Sequence, residues 1–265
     1  DVYKRQALVM AKLEKPQALD NLDGIMAEAQ AVMVARGDLG VELPPEEVPI
    51  AQKRIIRAAQ QRGLPVVVAT QMLESMITAP APTRAEASDV ATAVFDGADA
   101  VMLSAESAAG QFPREAVNMM DRIIARVERD EDWRVGLDAK RPQPEKNSAD
   151  AIAAAAVQVA HTINAKAIVA LTESGSTALR VAREKPDCPV IGLTVNEAVS
   201  RRLAAVWGVH AVRAEAAHSM TQAVEHAQKI ARVEGFASKG DEIVVVAGVP
   251  FGQAGTTNAL RVAKL

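Results

Sequence analysis

The chain has 265 residues, 49% of them apolar, enough for one large domain or two moderate ones with their own cores. Its 30 basic residues are scattered among 33 acids for a net charge of −3, so no basic stripe argues for nucleic acid, and no apolar run approaches the ~18 residues of a membrane span. A single cysteine, Cys188, excludes an internal disulfide framework and, with no signal-peptide pattern, points to a reducing, cytoplasmic setting; aromatics at 3% leave the core to aliphatic residues and alanine.

In chain order, residues 1–6 carry a polar Lys4-Arg5-Gln6 cluster where an apolar strand is expected, and they read as a non-native leader. Strands are predicted at Leu8–Ala11, Ala31–Val34, Val66–Ala69 and Ala98–Leu103, with amphipathic segments between them. In Val48–Arg62, Ile55, Ile56 and Ala59 face one way and Lys53, Arg54 and Arg57 another; Gly63-Leu64-Pro65 then stops the helix. Thr83-Arg84-Ala85-Glu86 is a capping box, and Arg114–Arg129 repeats Val117, Met120, Ile124 and Val127 at helical spacing. Four βα units in series predict an α/β fold built as the back half of a (β/α)8 barrel over 7–130, with an open doubly wound sheet as the alternative.

The chemistry gathers at the strand ends, where parallel α/β folds keep it. Lys12 and Glu14 point to one side of their strand, a phosphate-directed cation beside a metal-ligating carboxylate. Met33-Val34-Ala35-Arg36-Gly37-Asp38 ends the next strand; Gly37 admits a ligand close to the backbone and Asp38 offers a hard oxygen to Mg²⁺. Thr70 puts a hydroxyl at the same rim. Taken singly, each is an ordinary βα turn; together they suit a metal-assisted phosphoryl or enolate site. Glu28 and Glu42 read as solvated or supporting residues and not as ligands, Glu74 and Glu106 lie nearer the rim, and Arg36 is a candidate phosphate contact.

A charged, proline-bearing stretch, 131–147, reads as a linker. A second α/β domain is predicted over 148–265. Asn147 caps the Ala-rich helix Ser148–Ile163, and strands follow at Ala167–Leu171, Val190–Leu193, Ala211–Ala214 and Ile243–Ala247, with Thr257–Ala263 as an edge strand. Thr172-Glu173-Ser174-Gly175-Ser176-Thr177 joins a strand to a helix and forms an anion nest of hydroxyls and free amides, over which Gly248–Thr257 can close. His161, His210, His218 and His226 show no metal-site spacing, His218 and His226 read as a solvated helix face, and Cys188 has no evident base.

The ordered set K-L-E, M-V-A-R-G-D-L-G-V-E, A-T-Q-M-L-E-S-M, P-T-R-A-E-A-S-D-V-A and G-A-D-A-V-M-L-S-A-E-S-A resembles pyruvate kinase, from about Ala7 onward. The resemblance covers only the second half of that family's length, so the chain looks like a fragment: an incomplete TIM barrel followed by the carboxyl-terminal regulatory domain. It implies transfer of the phosphoryl group of phosphoenolpyruvate to ADP, giving pyruvate and ATP, with Glu14 and Asp38 holding Mg²⁺ or Mn²⁺. It further implies that Lys12 acts on the transferring group, that Thr70 works near the substrate carboxylate and the protonated carbon, and that the backbone of Ala35, Gly37 and Asp38 anchors that carboxylate. K⁺ is expected from the family, its ligands lying outside this sequence, as is a homotetramer at full length. Thr172, Ser174, Gly175, Ser176 and Thr177 match the family's effector region, where Glu173 disfavours a bisphosphate and leaves a sugar monophosphate or nucleotide, or no effector. The alternatives are a non-catalytic effector-binding or oligomerising portion and a metal-dependent enolpyruvate aldolase barrel.

Overall fold

A computed structural model describes residues 8–139, 141, 143–253 and 255–265. The expected leader falls outside them. The chain divides into two compact units, residues 1–141 and 142–265.

The first unit is built on four parallel strands, β1 (Met10–Leu13), β2 (Ala31–Ala35), β3 (Val66–Ala69) and β4 (Ala100–Met102), in the order β1-β2-β3-β4. Helices α1 (Pro16–Asp20) and α2 (Leu22–Glu28) follow β1, α3 (Arg36–Glu42) and α4 (Val48–Arg62) follow β2, α5 (Arg84–Asp96) follows β3, and α6 (Ala105–Ala108) and α7 (Pro113–Glu128) follow β4. A strand order equal to the chain order carries the crossover helices on one face where the crossovers keep their usual single hand, which is the barrel arrangement rather than the doubly wound one. No closed barrel forms among the described residues. Alternation sets the core: Val32 and Val34 of β2 and Val66 and Val68 of β3 are buried against Ile55, Ile56 and Ala59 of α4. Each of those isoleucines, fully covered, contributes about 2 kcal/mol by leaving water.

Two differences from the sequence reading stand out. Strand β1 lies two residues later than expected, because its pairing with β2 runs from Met10–Ala31 to Leu13–Val34 and places Lys12 inside the strand. The expected linker begins with a helix, α8 (Glu131–Ala139), whose Trp133 and Leu137 are buried; the Trp133 indole donates to the Val94 carbonyl at the end of α5. These two apolar residues, four apart, stitch α8 onto the first unit.

The second unit holds β5 (Ile168–Leu171), β6 (Val190–Thr194), β7 (Val209–Arg213), β8 (Glu242–Gly248) and β9 (Thr257–Lys264), ordered β7-β6-β5-β8-β9. All neighbours are parallel except β9, the antiparallel edge strand. Its helices are α9 (Ser148–Ile163), α10 (Ser176–Arg183), α11 (Glu197–Leu203) and α12 (Met220–Val233). Successive side chains serve opposite faces: Ile168 and Ala170 pack with Ala156 and Ala160 of α9, while Val169, Ile243 and Val245 pack with Ala227 and Ala231 of α12. The Asn147 side chain accepts the Asp150 amide and caps α9. Strand order reverses between β5 and β8, and such a switch point leaves a crevice at the strand ends. Among the described residues no helix is long and apolar enough to cross a membrane.

Candidate active site

At the carboxyl ends of β1, β2 and β3 the structure brings together Lys12, Glu14, Asp38 and Thr70. The Lys12 ammonium lies 2.6 Å from Glu14 Oε2 and 2.7 Å from Asp38 Oδ2. Asp38 first, then Glu14, hold that ammonium charged far above the usual lysine range. All three side chains are 39–52% exposed, so these pairs add little to stability. Their value lies in convergence: two carboxylates from different strand ends already meet on one cationic group.

Thr70 sits where β3 turns. Its hydroxyl donates to the Ala69 carbonyl at 2.6 Å and accepts the Gly37 amide at 2.8 Å. A Cβ on Gly37 would lie 3.2 Å from Thr70 Oγ1, so glycine is what lets α3 start so close to β3. The Gly37 amide, expected to be free for a substrate carboxylate, is therefore engaged by the threonine. Thr70 and Gln71 both adopt left-handed backbone, φ +69° and +53°.

Arg36 is buried, and its donors are committed within the protein: Nη2 to the carbonyls of Thr70 (2.7 Å) and Gln71 (2.9 Å), Nε to Thr70 (3.3 Å) and Nη1 to Asp89 Oδ2 (2.5 Å). A phosphate contact is thus not its role here. Ala35 ends β2 and is fully buried, positioning the start of α3. Glu106 is buried and accepts the Leu73 and Ser104 amides, tying together the loops after β3 and β4. Glu28, Glu42 and Glu74 are exposed. The capping-box Glu86 also accepts the amide and hydroxyl of Ser75; burial alone would raise its pKa, but the Ser75 hydroxyl, the Ser75 and Thr83 amides and the Thr83 hydroxyl bring it down to about 2.

In the second unit a cavity opens at the switch point, lined by Thr172, Glu173, Ser176 and Thr177 after β5, by Glu215 after β7, and by residues 251–253 and 255–257 after β8. Ser174 and Gly175 are not among the lining residues. Gly175, φ +88°, is the N-cap of α10, and an added Cβ there would collide with the Arg202 guanidinium, which donates to the Ser174 carbonyl. The Thr177 hydroxyl bonds Thr257 at 2.7 Å, and the buried Thr172 hydroxyl has no partner among the described residues. His226 is a correction: read as solvated, it is half-buried in this wall, because α12 turns that face toward the crevice. Among the described lining residues there are two carboxylates, Glu173 and Glu215, and no lysine or arginine.

Comparison with known proteins agrees with this arrangement. The family model "Pyruvate kinase, barrel domain" matches residues 2–117, starting inside the stretch read as a leader, and "Pyruvate kinase, alpha/beta domain" matches residues 150–263. The chain is 56% identical to a pyruvate kinase of Methylorubrum extorquens over 97% of its own length and 54% of that protein, and 50% identical to one of Agrobacterium vitis over 98% and 54%. A crystal structure of a pyruvate kinase from Cryptosporidium parvum superposes with a TM-score of 0.89 at 39% identity, over 97% of this chain and 51% of that one. The chain therefore spans about half the length of the relatives it matches, and the aldolase-barrel alternative finds no support. With one family's two domain types in sequence along it, and the strand-end chemistry in the first of them, the chain belongs to the pyruvate kinase family.

Proposed function

We propose that the chain serves phosphoryl transfer from phosphoenolpyruvate to ADP, giving pyruvate and ATP. The observation that carries this reading is the meeting of Lys12, Glu14, Asp38 and Thr70 on three adjacent strand ends. A divalent cation fits the donor set. The two acids aim at one cationic point, and Mg²⁺ commonly takes one or two protein carboxylates and completes its shell with water and substrate phosphate, so the lack of a three-acid cluster among the described residues is no obstacle. Bound by Glu14 and Asp38, Mg²⁺ or Mn²⁺ would supply charge neutralisation at phosphoryl and enolate oxygens.

Each side chain then has a task. Lys12 presents a permanent positive charge to the phosphoryl group as the bond to the enolate oxygen breaks and the bond to the ADP phosphate forms. The amides of Gly37 and Asp38, in the first turn of α3, orient the substrate carboxylate, which exchanges with Thr70 for the Gly37 donor. Once released, the Thr70 hydroxyl relays a proton from solvent water to the enolate carbon, giving its own proton and taking one back from that water so that it ends neutral. The test is pyruvate formation by a full-length pyruvate kinase carrying this sequence, with and without Mg²⁺. Turnover that needs phosphoenolpyruvate, ADP and the metal together is expected; none under any of these conditions overturns the reading.

For the second unit we infer an effector with a single phosphate, a sugar monophosphate or nucleotide. Its phosphate is taken by the start of α10 with the hydroxyls of Thr172 and Ser176, and Glu173 and Glu215 oppose a second one. Glucose 6-phosphate is expected to bind about tenfold or more tightly than fructose 1,6-bisphosphate in calorimetry, and Glu173→Lys to narrow the gap. A wild-type preference for the bisphosphate would remove this assignment. Assembly as a homotetramer, a K⁺ requirement and a cytoplasmic location belong to the same family-based proposal.

A further inference from the structure

We infer that Arg36, neutralised by Asp89, is a positioning residue for the phosphoryl-transfer site: its guanidinium clamps the left-handed pair Thr70–Gln71 and so aims the Thr70 hydroxyl. The inference rests on the reading of Thr70 as part of that site. Two consecutive non-glycine residues with positive φ, one of them β-branched, are costly, because Cβ crowds the following carbonyl. Such a turn persists only where its surroundings over-determine it.

The surroundings that do so are a buried guanidinium and its counter-ion. Three N–H donors of one guanidinium contact just two carbonyls, those of Thr70 and Gln71, from one side of the turn. A buried guanidinium needs a counter-charge, and the Asp89 carboxylate on α5, 2.5 Å from Nη1, provides it. The next residue in the chain, Gly37, donates its amide to the Thr70 hydroxyl until substrate takes that donor, so it is the Arg36 grip on the Thr70 and Gln71 carbonyls that holds the turn in both situations. The residue after Gly37 is Asp38, whose carboxylate meets Lys12. One junction, from β2 into α3, fixes the hydroxyl and the acid relative to each other. A lysine at position 36 cannot reproduce this, since a single ammonium does not span two carbonyls and a carboxylate in one plane.

The test is a double-mutant cycle of Arg36→Lys and Thr70→Val in a full-length pyruvate kinase carrying this sequence, read as kcat and KM for phosphoenolpyruvate with hydrogen exchange at the Gly37 amide. Arg36→Lys is expected to lower kcat on the order of 10²-fold with little change in KM, and to speed exchange of the Gly37 amide selectively. In the Thr70→Val background the same change should cost only a small fraction of that, because the group it positions is already gone. Should Arg36→Lys fail to fold, Arg36→Gln, which keeps one side-chain amide donor for the turn but cannot span both carbonyls and needs no counter-charge, takes its corner of the cycle with the same expected outcome. Wild-type kcat in the arginine variant, or an equal loss in both backgrounds, would overturn the positioning role and leave Arg36 a purely structural residue. Full turnover in Thr70→Val would overturn the site reading itself, and the inference with it, whatever the Gly37 amide shows.

Discussion

Lys12→Met, made in a full-length pyruvate kinase carrying this sequence, is expected to lower kcat about 10³-fold or more while leaving divalent-cation affinity equal or tighter. Both halves follow from one geometry. The ammonium stands between Glu14 and Asp38 at 2.6 and 2.7 Å, and its protonation is secured by both carboxylates. In the transition state a fixed charge beside the transferring oxygens is worth far more than in the ground state, which is why its loss falls on turnover. Without substrate, the same ammonium competes with a metal ion for the two acids, so removing it frees them. Asp38→Asn does the reverse, taking away a ligand and leaving Lys12 with Glu14 alone. Mn²⁺ titration of both variants, followed by electron paramagnetic resonance without substrate, separates the roles. An equal weakening of Mn²⁺ binding in the two would contradict the split.

What could be read from the sequence divides by how local its cause is. Helix α4 was predicted over Val48–Arg62 and is found there, because apolar spacing and a Gly-Leu-Pro stop act within the segment itself. The Thr83 capping box and the Asn147 cap are equally local, a side chain reaching an amide three residues on. Arg36 was not legible, since its partner Asp89 is 53 residues away and its carbonyl acceptors 34 and 35 away. Nothing in Ala69-Thr70-Gln71-Met72 announces left-handed backbone, because the usual signals, glycine or asparagine, are missing and tertiary bonds supply the stabilisation. The α8 helix did carry a signal, Trp133 and Leu137 four apart, hidden by charged neighbours. His226 is a matter of orientation: both faces of the second sheet are covered, and only the topology says that α12 borders the crevice.

The second unit depends on one buried carboxylate whose removal is expected to unfold it early. Asp150, in the first turn of α9, is 1% exposed and accepts Arg180 Nε at 2.7 Å, Arg183 Nη2 at 2.8 Å and the Glu145 amide at 3.2 Å. Burial alone would raise its pKa, but Arg183 and then Arg180 outweigh that and hold it below the ordinary carboxylate range. Asp150→Ala takes the closer acid from Arg183, itself 6% exposed, leaving it the longer contact to Glu184 Oε1 at 3.3 Å, and takes the Arg180 Nε partner as well, a change that costs about 3 kcal/mol, the lower end for breaking a buried pair. Against the roughly 5–15 kcal/mol that holds a domain folded, this means a melting temperature lower by roughly 10 to 20 °C, followed through hydrogen exchange in β5 and β6. The pH dependence has a definite sign. A depressed carboxylate contributes its stability fully above its unfolded pKa, about 3.9, and loses it as pH falls through the lower folded value. The gap between wild type and Asp150→Ala should therefore stay level between about pH 5 and pH 8 and shrink below about pH 4, as protonation of Asp150 removes from the wild type what the mutation removes outright. A loss under about 1 kcal/mol, or a gap that widens in acid, would mean that α9 and α10 are held together by their apolar contacts and not by this acid.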